Sequence, residues 1–512
     1  MTNPAAAVRL LITYAVCIPL AALVGYMITN PLDYGSLGFF GLVALLIVSP
    51  VFIRWHYPIM IIGLASPIYC FFLKGTPPLS QVVVLLSLGI AIIDRTLNSD
   101  KKFISVPVMT WPLLFTAAMV YFTAEMTGGI GLKALGGEVA GGKKYIAIFI
   151  GIAGFFALTS RVIPKHQRNL YVAFYFLPGA VLFVSDLFPV LPSPLNYINL
   201  LIPPSESSGD ATFSFGTSRL GAFSASAGVL ANFMLAKFGI RGIFRGDRPL
   251  RVLGFCTLLV LTMLGGFRIV LVSYIMTGTL LFFLEGLHKT RMLMIFALAG
   301  VLGASLLIPF ANKLPYTFQR AMSFLPLKLD SAAVMDADGS KKWREDIWRD
   351  TWPKVPDYLL LGKGYALTAA DFQMMGNGQF ANGADMNMDK SMTALAISGD
   401  YHNGPLSTLM PFGIWGAISF LWVTLAGMWV MYRNFKYGDA ELKTVNTLLF
   451  VFFVQGFIGF FILFGAYAYG LGDFAKLAGF SIALNWGVCA PKRQAAGVVR
   501  IKPLPRPQLL PA

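Results

Sequence analysis

Charge is what this sequence has least of. Asp, Glu, Lys and Arg make up 12% of its 512 residues, about half the share found in a soluble chain. Hydrophobic side chains supply 56% and mean hydropathy is +0.68. No soluble core explains that balance, which implies an all-α polytopic integral membrane protein. Cysteine is also scarce: Cys17, Cys70, Cys256 and Cys489 all fall inside apolar stretches. They read as small buried hydrophobes, which argues against a disulfide framework or a zinc site. There is no internal repeat. Arg9 is followed by about 20 mostly apolar residues without an obvious cleavage site, as expected of a retained first span.

What is present is a series of apolar runs near the length that crosses a bilayer, about 20 residues. Spans are expected near residues 10–28, 35–53, 57–73, 79–93, 109–124, 145–160, 169–188, 219–236, 251–266, 269–286, 292–311, 405–432, 444–464 and 474–489. The fold class is therefore about 12–14 transmembrane helices with one large extracytoplasmic loop. With a cytoplasmic N-terminus, one side of the membrane holds 23 of the 40 basic residues and 6 of the 24 acidic ones. The other side then holds 17 and 18, so the net charge of +16 lies entirely on the cytoplasmic face. The basic balance thus reports orientation and contact with anionic lipid, and it gives no reason to expect nucleic acid. Both termini are placed in the cytoplasm.

Four regions follow: membrane helices over 1–311, an extracytoplasmic cap over 312–404, C-terminal membrane helices over 405–490 and a disordered basic tail over 491–512. Residues 189–218 contain no Lys or Arg and many Pro and Ser, in keeping with an outer loop. The 93 residues of 312–404 carry 10 basic and 11 acidic side chains and are rich in Trp, Gly and Asp. They suit a small folded cap better than a linker. Within it, KKWREDIWRDTW places Trp343, Ile347, Trp348 and Trp352 on one half of a helical wheel. That helix either lies at the membrane interface or packs on the cap's own core.

Ionisable groups at span ends are candidates for function. Arg219 in GTSRLGAFSASAG, Arg268 in LGGFRIVLVSY and His402 in SGDYHNGPLSTLMPFGIWG are three such groups. Taken singly, each has a simpler reading: arginine snorkels to headgroups and an interfacial histidine is solvated. Taken together, they fall on the same side of the membrane. Two guanidiniums there suit a diphosphate, which their planar forks hold by paired oxygens. A nearby histidine takes or relays a proton near neutral pH.

The chain resembles the O-antigen ligase and O-antigen polymerase superfamily, integral membrane glycosyltransferases, in four segments that keep the family's order. Arg219-Leu-Gly-Ala-Phe is similar to Arg-x-x-Gly-x-Phe but one residue shorter. Gly-Phe-Arg268 stands where the family commonly has Ser-x-Ser-Arg. Arg344-x-x-x-Trp348, followed by Pro356, Gly362 and Gly364, is similar to Arg-x-x-x-Trp and Pro-x-x-Gly-x-Gly. His402-Asn403-x-x-Leu406, with Gly413 and Gly416, is similar to His-Asn-x-x-Leu and a later Gly-x-x-Gly. The resemblance covers roughly residues 212 to 435. It departs at Ser224-Ala-Ser-Ala-Gly, where family members often have Asn-Pro, and at Phe267.

The resemblance implies transfer of a glycan from an undecaprenyl-diphosphate carrier to an acceptor hydroxyl on lipid, glycan or protein. The reaction takes place on the outer face of the bacterial cytoplasmic (inner) membrane and uses no cofactor. Arg219 and Arg268 would bind the diphosphate, with Arg344 as a third cation. His402 would be catalytic, and Asn403 would orient it or cap the following helix. Asp336-Ala-Asp338 resembles a metal-binding Asp-x-Asp, but MDADGS has the composition of an ordinary turn, and no metal is expected. A transporter or flippase of lipid-linked saccharides would also want arginines near a carrier diphosphate. It would spread charge through the bilayer, whereas this chain gathers it on one side.

Overall fold

The computed structural model describes residues 4–29, 33–98, 100, 102–130, 141–204, 219–367 and 399–491. Among them it is helical throughout, with one isolated bridge between Tyr69 and Pro78 and no strand. In chain order the α-helices are α1 Pro4–Thr29, α2 Tyr34–Ala65, α3 Leu79–Leu97, α4 Pro107–Thr127, α5 Gly142–Leu158 and α6 Arg168–Phe176. They continue as α7 Gly221–Ile243, α8 Pro249–Leu261, α9 Arg268–Leu284, α10 Met292–Phe310, α11 Tyr316–Ala321 and α12 Ser331–Thr351. After the cap come α13 Gly404–Tyr437, α14 Lys443–Ile462 and α15 Tyr467–Asn485. Seven helical stretches are long and apolar enough to cross a membrane, among them α7, α13 and Ala440–Ile462. The tail beyond residue 491 lies outside the described residues.

Two spans expected at 35–53 and 57–73 share the single helix α2, which contains Pro50 and Pro58. The polar stretch between them does not break it, because its buried polar groups find partners inside the bundle. His56 Nδ1 meets Ser87 Oγ at 2.7 Å, and the Tyr57 hydroxyl donates to the Leu158 carbonyl at 2.7 Å.

The core lies among α4, α5, α13, α14 and α15, where Phe155, Phe412, Phe420, Phe453 and Phe480 are almost wholly buried. At the crossing of α5 and α15 the chains approach so closely that a Cβ on Gly151 would lie 2.6 Å from the Gly472 Cα. Close backbone approach of this kind substitutes for the weak hydrophobic driving force between helices in lipid.

One break in α13 positions the site. Gly413 has φ +60°, and a Cβ there would lie 2.4 Å from the Leu359 carbonyl oxygen. The segment 359–364 docks into this break. Ile414 N donates to Leu359 O at 2.7 Å, Lys363 N to Met410 O at 2.7 Å and Gly364 N to Pro411 O at 3.0 Å. Gly362, at φ +77°, lies with its virtual Cβ only 2.2 Å from Pro411 O. Only glycine meets both the sign of φ and the contact distance. The Gly362-x-Gly364 and Gly413-x-x-Gly416 segments are thus two halves of one joint, which holds residues 359–364 against the break in α13.

Candidate active site

The cap helix α12 gathers the candidate residues along one face. Its N-terminus is capped by Asp330, whose side chain accepts from Ala332 N at 2.8 Å. On the second turn, Asp336 Oδ2 accepts from Arg219 Nη2 at 2.7 Å, Arg320 Nε at 2.6 Å and the Tyr316 hydroxyl at 3.0 Å. Next in the chain, the Ala337 carbonyl accepts from Arg268 Nη2 at 2.6 Å. Arg320 Nη1 also donates to Gly266 O at 2.8 Å, which ties α11 to the turn before Arg268. That turn needs Gly266, at φ +65°, to reverse direction and launch α9 with Arg268 as its first residue.

The electrostatics are those of an anion site. Burial pushes the Asp336 carboxyl up, but the Arg320 and Arg219 charges and their hydrogen bonds outweigh it and hold it below the usual carboxylate range. Burial and the hydrogen bond to that carboxylate push the Tyr316 phenol up to about 12. Arg344 lies seven residues beyond Ala337 and so on the same face of α12. Burial, then the charges of Arg268 and Arg320, lower its basicity. Its Nε is buried without a hydrogen-bond partner among the described residues. Arg219, Arg268, Arg320 and Arg344 therefore face Asp336 and Asp338, an excess of positive charge in a partly desolvated place.

The far end of α12 holds the histidine segment. Ile347 and Trp348 pack on Val355, Tyr401, Leu406 and Met410, and Trp348 Nε1 donates to the Tyr401 carbonyl at 2.9 Å. The helix therefore packs partly on Leu406 and Met410 of α13, while Trp352 stays exposed. The 12 residues from Asp336 to Trp348 rise about 18 Å, and Arg344 stands one turn, about 6 Å, before Trp348. Of the four clustered arginines, Arg344 is thus the closest to the histidine segment along the helix.

His402 itself has φ +50°, a strained backbone for a non-glycine residue. Its Nδ1 lies 3.4 Å from the Asp400 carbonyl oxygen and 3.4 Å from Asp400 Oδ1. The first contact has hydrogen-bond geometry and the second is an ion-pair contact, with Oδ1 buried and without a hydrogen bond among the described residues. Two oxygens beside Nδ1 favour a proton there and put the ring's lone pair on Nε2. The ring stands edge-on to Phe464, with centroids 4.8 Å apart. Asn403 Oδ1 accepts from Leu406 N at 3.0 Å, so Asn403 caps α13.

An apolar cavity of about 580 Å³ begins beside Arg268. It runs between α7, α9 and α14, past Phe267, Ile269, Tyr274 and Thr277, to Phe460 and Phe464.

The structure thus brings Arg219, Arg268 and Arg344 to one helix, with His402 at that helix's other end. Residues 252–421 match the O-antigen ligase family. That segment is about a third of the chain, and the match supports a likeness to the O-antigen ligase superfamily over those residues. The ligase domain contains Arg268, Arg320, Arg344 and His402, while Arg219 precedes it. No curated protein matches the chain. The match supports the general reading of a membrane glycosyltransferase of the ligase or polymerase type, in keeping with the seven helices among the described residues that are long and apolar enough to cross a membrane.

The arginine that sequence reasoning missed within the ligase domain is Arg320. Its signal was a cation set among Phe318, Ala321 and Met322 in a short helix, with only 7% of it exposed once folded. Asp336, considered as half of a metal motif, instead directs its carboxylate to two guanidiniums and a phenol. Asp400 carried no signal beyond standing two residues before His402.

Proposed function

We propose that the protein transfers a glycan from an undecaprenyl-diphosphate carrier to an acceptor hydroxyl in cell-surface polysaccharide synthesis. The reaction takes place on the outer face of the bacterial cytoplasmic membrane. In this reading both termini are cytoplasmic, residues 1–311 and 405–490 form the membrane body, and residues 312–404 cap the reaction site. The observation that carries the reading is the convergence of Arg268, Arg320 and Arg344, close enough for their charges to act on one another, with Arg344 Nε buried and without a hydrogen-bond partner among the described residues. Such a cluster is stabilised by an anion. A diphosphate esterified at both ends carries one negative charge on each phosphate, which suits the excess of cations. The apolar cavity beside Arg268 suits the first isoprene units of the carrier.

The chemistry is an in-line displacement at the anomeric carbon. The acceptor oxygen forms its bond to C1 as the bond from C1 to the phosphate oxygen breaks, and that bond's electrons leave with the diphosphate. His402 Nε2 takes the hydroxyl proton. Arg268, Arg219 and Arg344 stabilise the charge that grows on the leaving phosphate more than they stabilise the ground state. No nucleotide sugar, cofactor or metal enters these steps.

The test is reconstitution of the full chain in lipid vesicles with an undecaprenyl-diphosphate-linked glycan and candidate acceptors. Wild type should transfer the glycan, and Arg268→Ala and His402→Ala should each lower the rate by about 10²-fold. Wild-type rates from both variants, at normal expression, would overturn the assignment of the site. A lengthened glycan identifies a polymerase, and glycan moved onto lipid or protein identifies a ligase. Movement of intact lipid-linked donor across the vesicle without transfer would favour a flippase.

A further inference from the structure

A second cavity, of about 340 Å³, lies between α14 and α15. It shares a wall with the first: Phe452, Gly456, Phe460 and Phe464 line both. The two differ in their polar borders, and the carboxylates of the second have Lys144 and Lys476 nearby. The first starts at the residues flanking Arg268, whereas the second is bordered by Asp400, Tyr469 and Asp473. His402 stands at the shared wall, with its ring against Phe464 and its Nδ1 beside Asp400.

We propose that this second cavity is the acceptor subsite and that it takes a sugar bearing the hydroxyl that reacts. The inference rests on the proposed transferase reading and adds the place and class of its acceptor. Three features favour a sugar. Aromatic faces at Phe464, Phe474 and Tyr469 suit the apolar C–H face of a pyranose. Carboxylates accept hydrogen bonds from vicinal hydroxyls, and Asp400 Oδ1 is buried with no hydrogen-bond donor among the described residues. Asp473 holds Lys476 at 2.9 Å yet keeps most of its carboxylate exposed at the rim. A donor entering past Arg268 and an acceptor entering past Asp473 would then meet at Phe464, where His402 can remove the proton as the new bond forms.

Gly470 offers a clean test. It lines the cavity, and a Cβ there would meet Phe460 at an ordinary 3.6 Å, so a side chain can be added without forcing the backbone. In proteoliposomes with an undecaprenyl-diphosphate-linked glycan and a soluble oligosaccharide acceptor, Gly470→Leu and Tyr469→Ala should each raise the acceptor KM at least about tenfold, with donor KM within twofold of wild type. Asp473→Asn provides a second, nearly isosteric variant should Gly470→Leu express poorly. An acceptor KM unchanged in Tyr469→Ala and Asp473→Asn, or a wild type that glycosylates only a Ser- or Thr-containing peptide, overturns the acceptor subsite and leaves the transferase reading standing. A wild type that transfers to no acceptor sinks the transferase reading, and this inference with it.

Discussion

Arg219 and Asp336 are 117 residues apart in the chain and meet at 2.7 Å. One lies just before α7, a helix long and apolar enough to cross a membrane, and the other on α12, so this contact, reinforced by Arg320 on the same oxygen, clasps α12 to the apolar helices. All three side chains are largely buried, Asp336 at 15% exposure and Arg320 at 8%. Removing the shared acid strands two guanidiniums in a place poor in water. Asp336→Ala is expected to destabilise the cap by about 3 kcal/mol and to speed protease cleavage at the exposed Lys341 and Lys342. Unchanged cleavage kinetics would show that the clasp does not hold the cap down.

The same clasp sets an acid limit. The Asp336 carboxyl is held below its ordinary range, so the unfolded or released cap binds the proton more readily than the docked one. The stabilisation is therefore fully present above the ordinary aspartate value, about pH 4, and is lost as pH falls through the lowered value. Hydrogen exchange over α12 should stay constant from about pH 8 to pH 5, after correction for intrinsic rates, and rise only in stronger acid. Asp336→Asn should abolish that acid transition. A cap that loosens between about pH 7 and pH 5 would assign the switch to another group.

Much of this arrangement was readable before any coordinates, because its signals are local. Arginine in an apolar run and histidine before a helix are costly placements, and they show as such in sequence. The Asn403 cap is equally local and was one of two readings. The partners were not readable. Arg320 and Asp336 owe their importance to which carbonyl, carboxylate or guanidinium they meet, and those partners lie 16 to 117 residues away in the chain. Helix boundaries inside α2 failed for a related reason: the polarity of His56 and Tyr57 is satisfied by Ser87 and the Leu158 carbonyl, and periodicity cannot see either.

Arg344 separates fork chemistry from simple charge. Its Nε is buried and without a hydrogen-bond partner among the described residues, so a lysine there restores charge but neither the planar fork nor the Nε donor. Arg344→Lys and Arg344→Ala should both lose donor affinity, with lysine recovering less than half of the binding free energy lost in alanine. Full rescue by lysine, measured as donor KM, would reduce Arg344 to a general source of positive potential.

Gly413 tests the joint that holds residues 359–364 against the break in α13. An alanine there must hold φ near +60° and bring its Cβ to 2.4 Å from the Leu359 oxygen, so the docked segment 359–364 has to move. Met410 and Leu406, on the turns before the break, pack with Tyr401, so the displacement is passed to His402. Gly413→Ala should insert into the membrane normally, lower thermal stability by about 2 kcal/mol or more and reduce transfer more than it reduces donor binding.

The Asp400 and His402 pair can be dissected by two substitutions of different severity. Asn at 400 keeps an oxygen that accepts from Nδ1, whereas Ala leaves only the backbone carbonyl on that side of the ring. If the carboxylate orients the ring, kcat should fall in the order wild type, Asp400→Asn, Asp400→Ala, and the donor KM should not change, since the arginines are untouched. Removing His402 should cost about 10²-fold or more, and Asp400→Ala on top of His402→Ala should add almost nothing to that loss, because a positioning group has no effect once the base it positions is gone. Acceptor KM should rise in both Asp400 variants, because the same carboxylate borders the proposed acceptor subsite; a further drop in kcat at saturating acceptor in the double variant would mean that Asp400 does more in the reacting complex than orient the histidine.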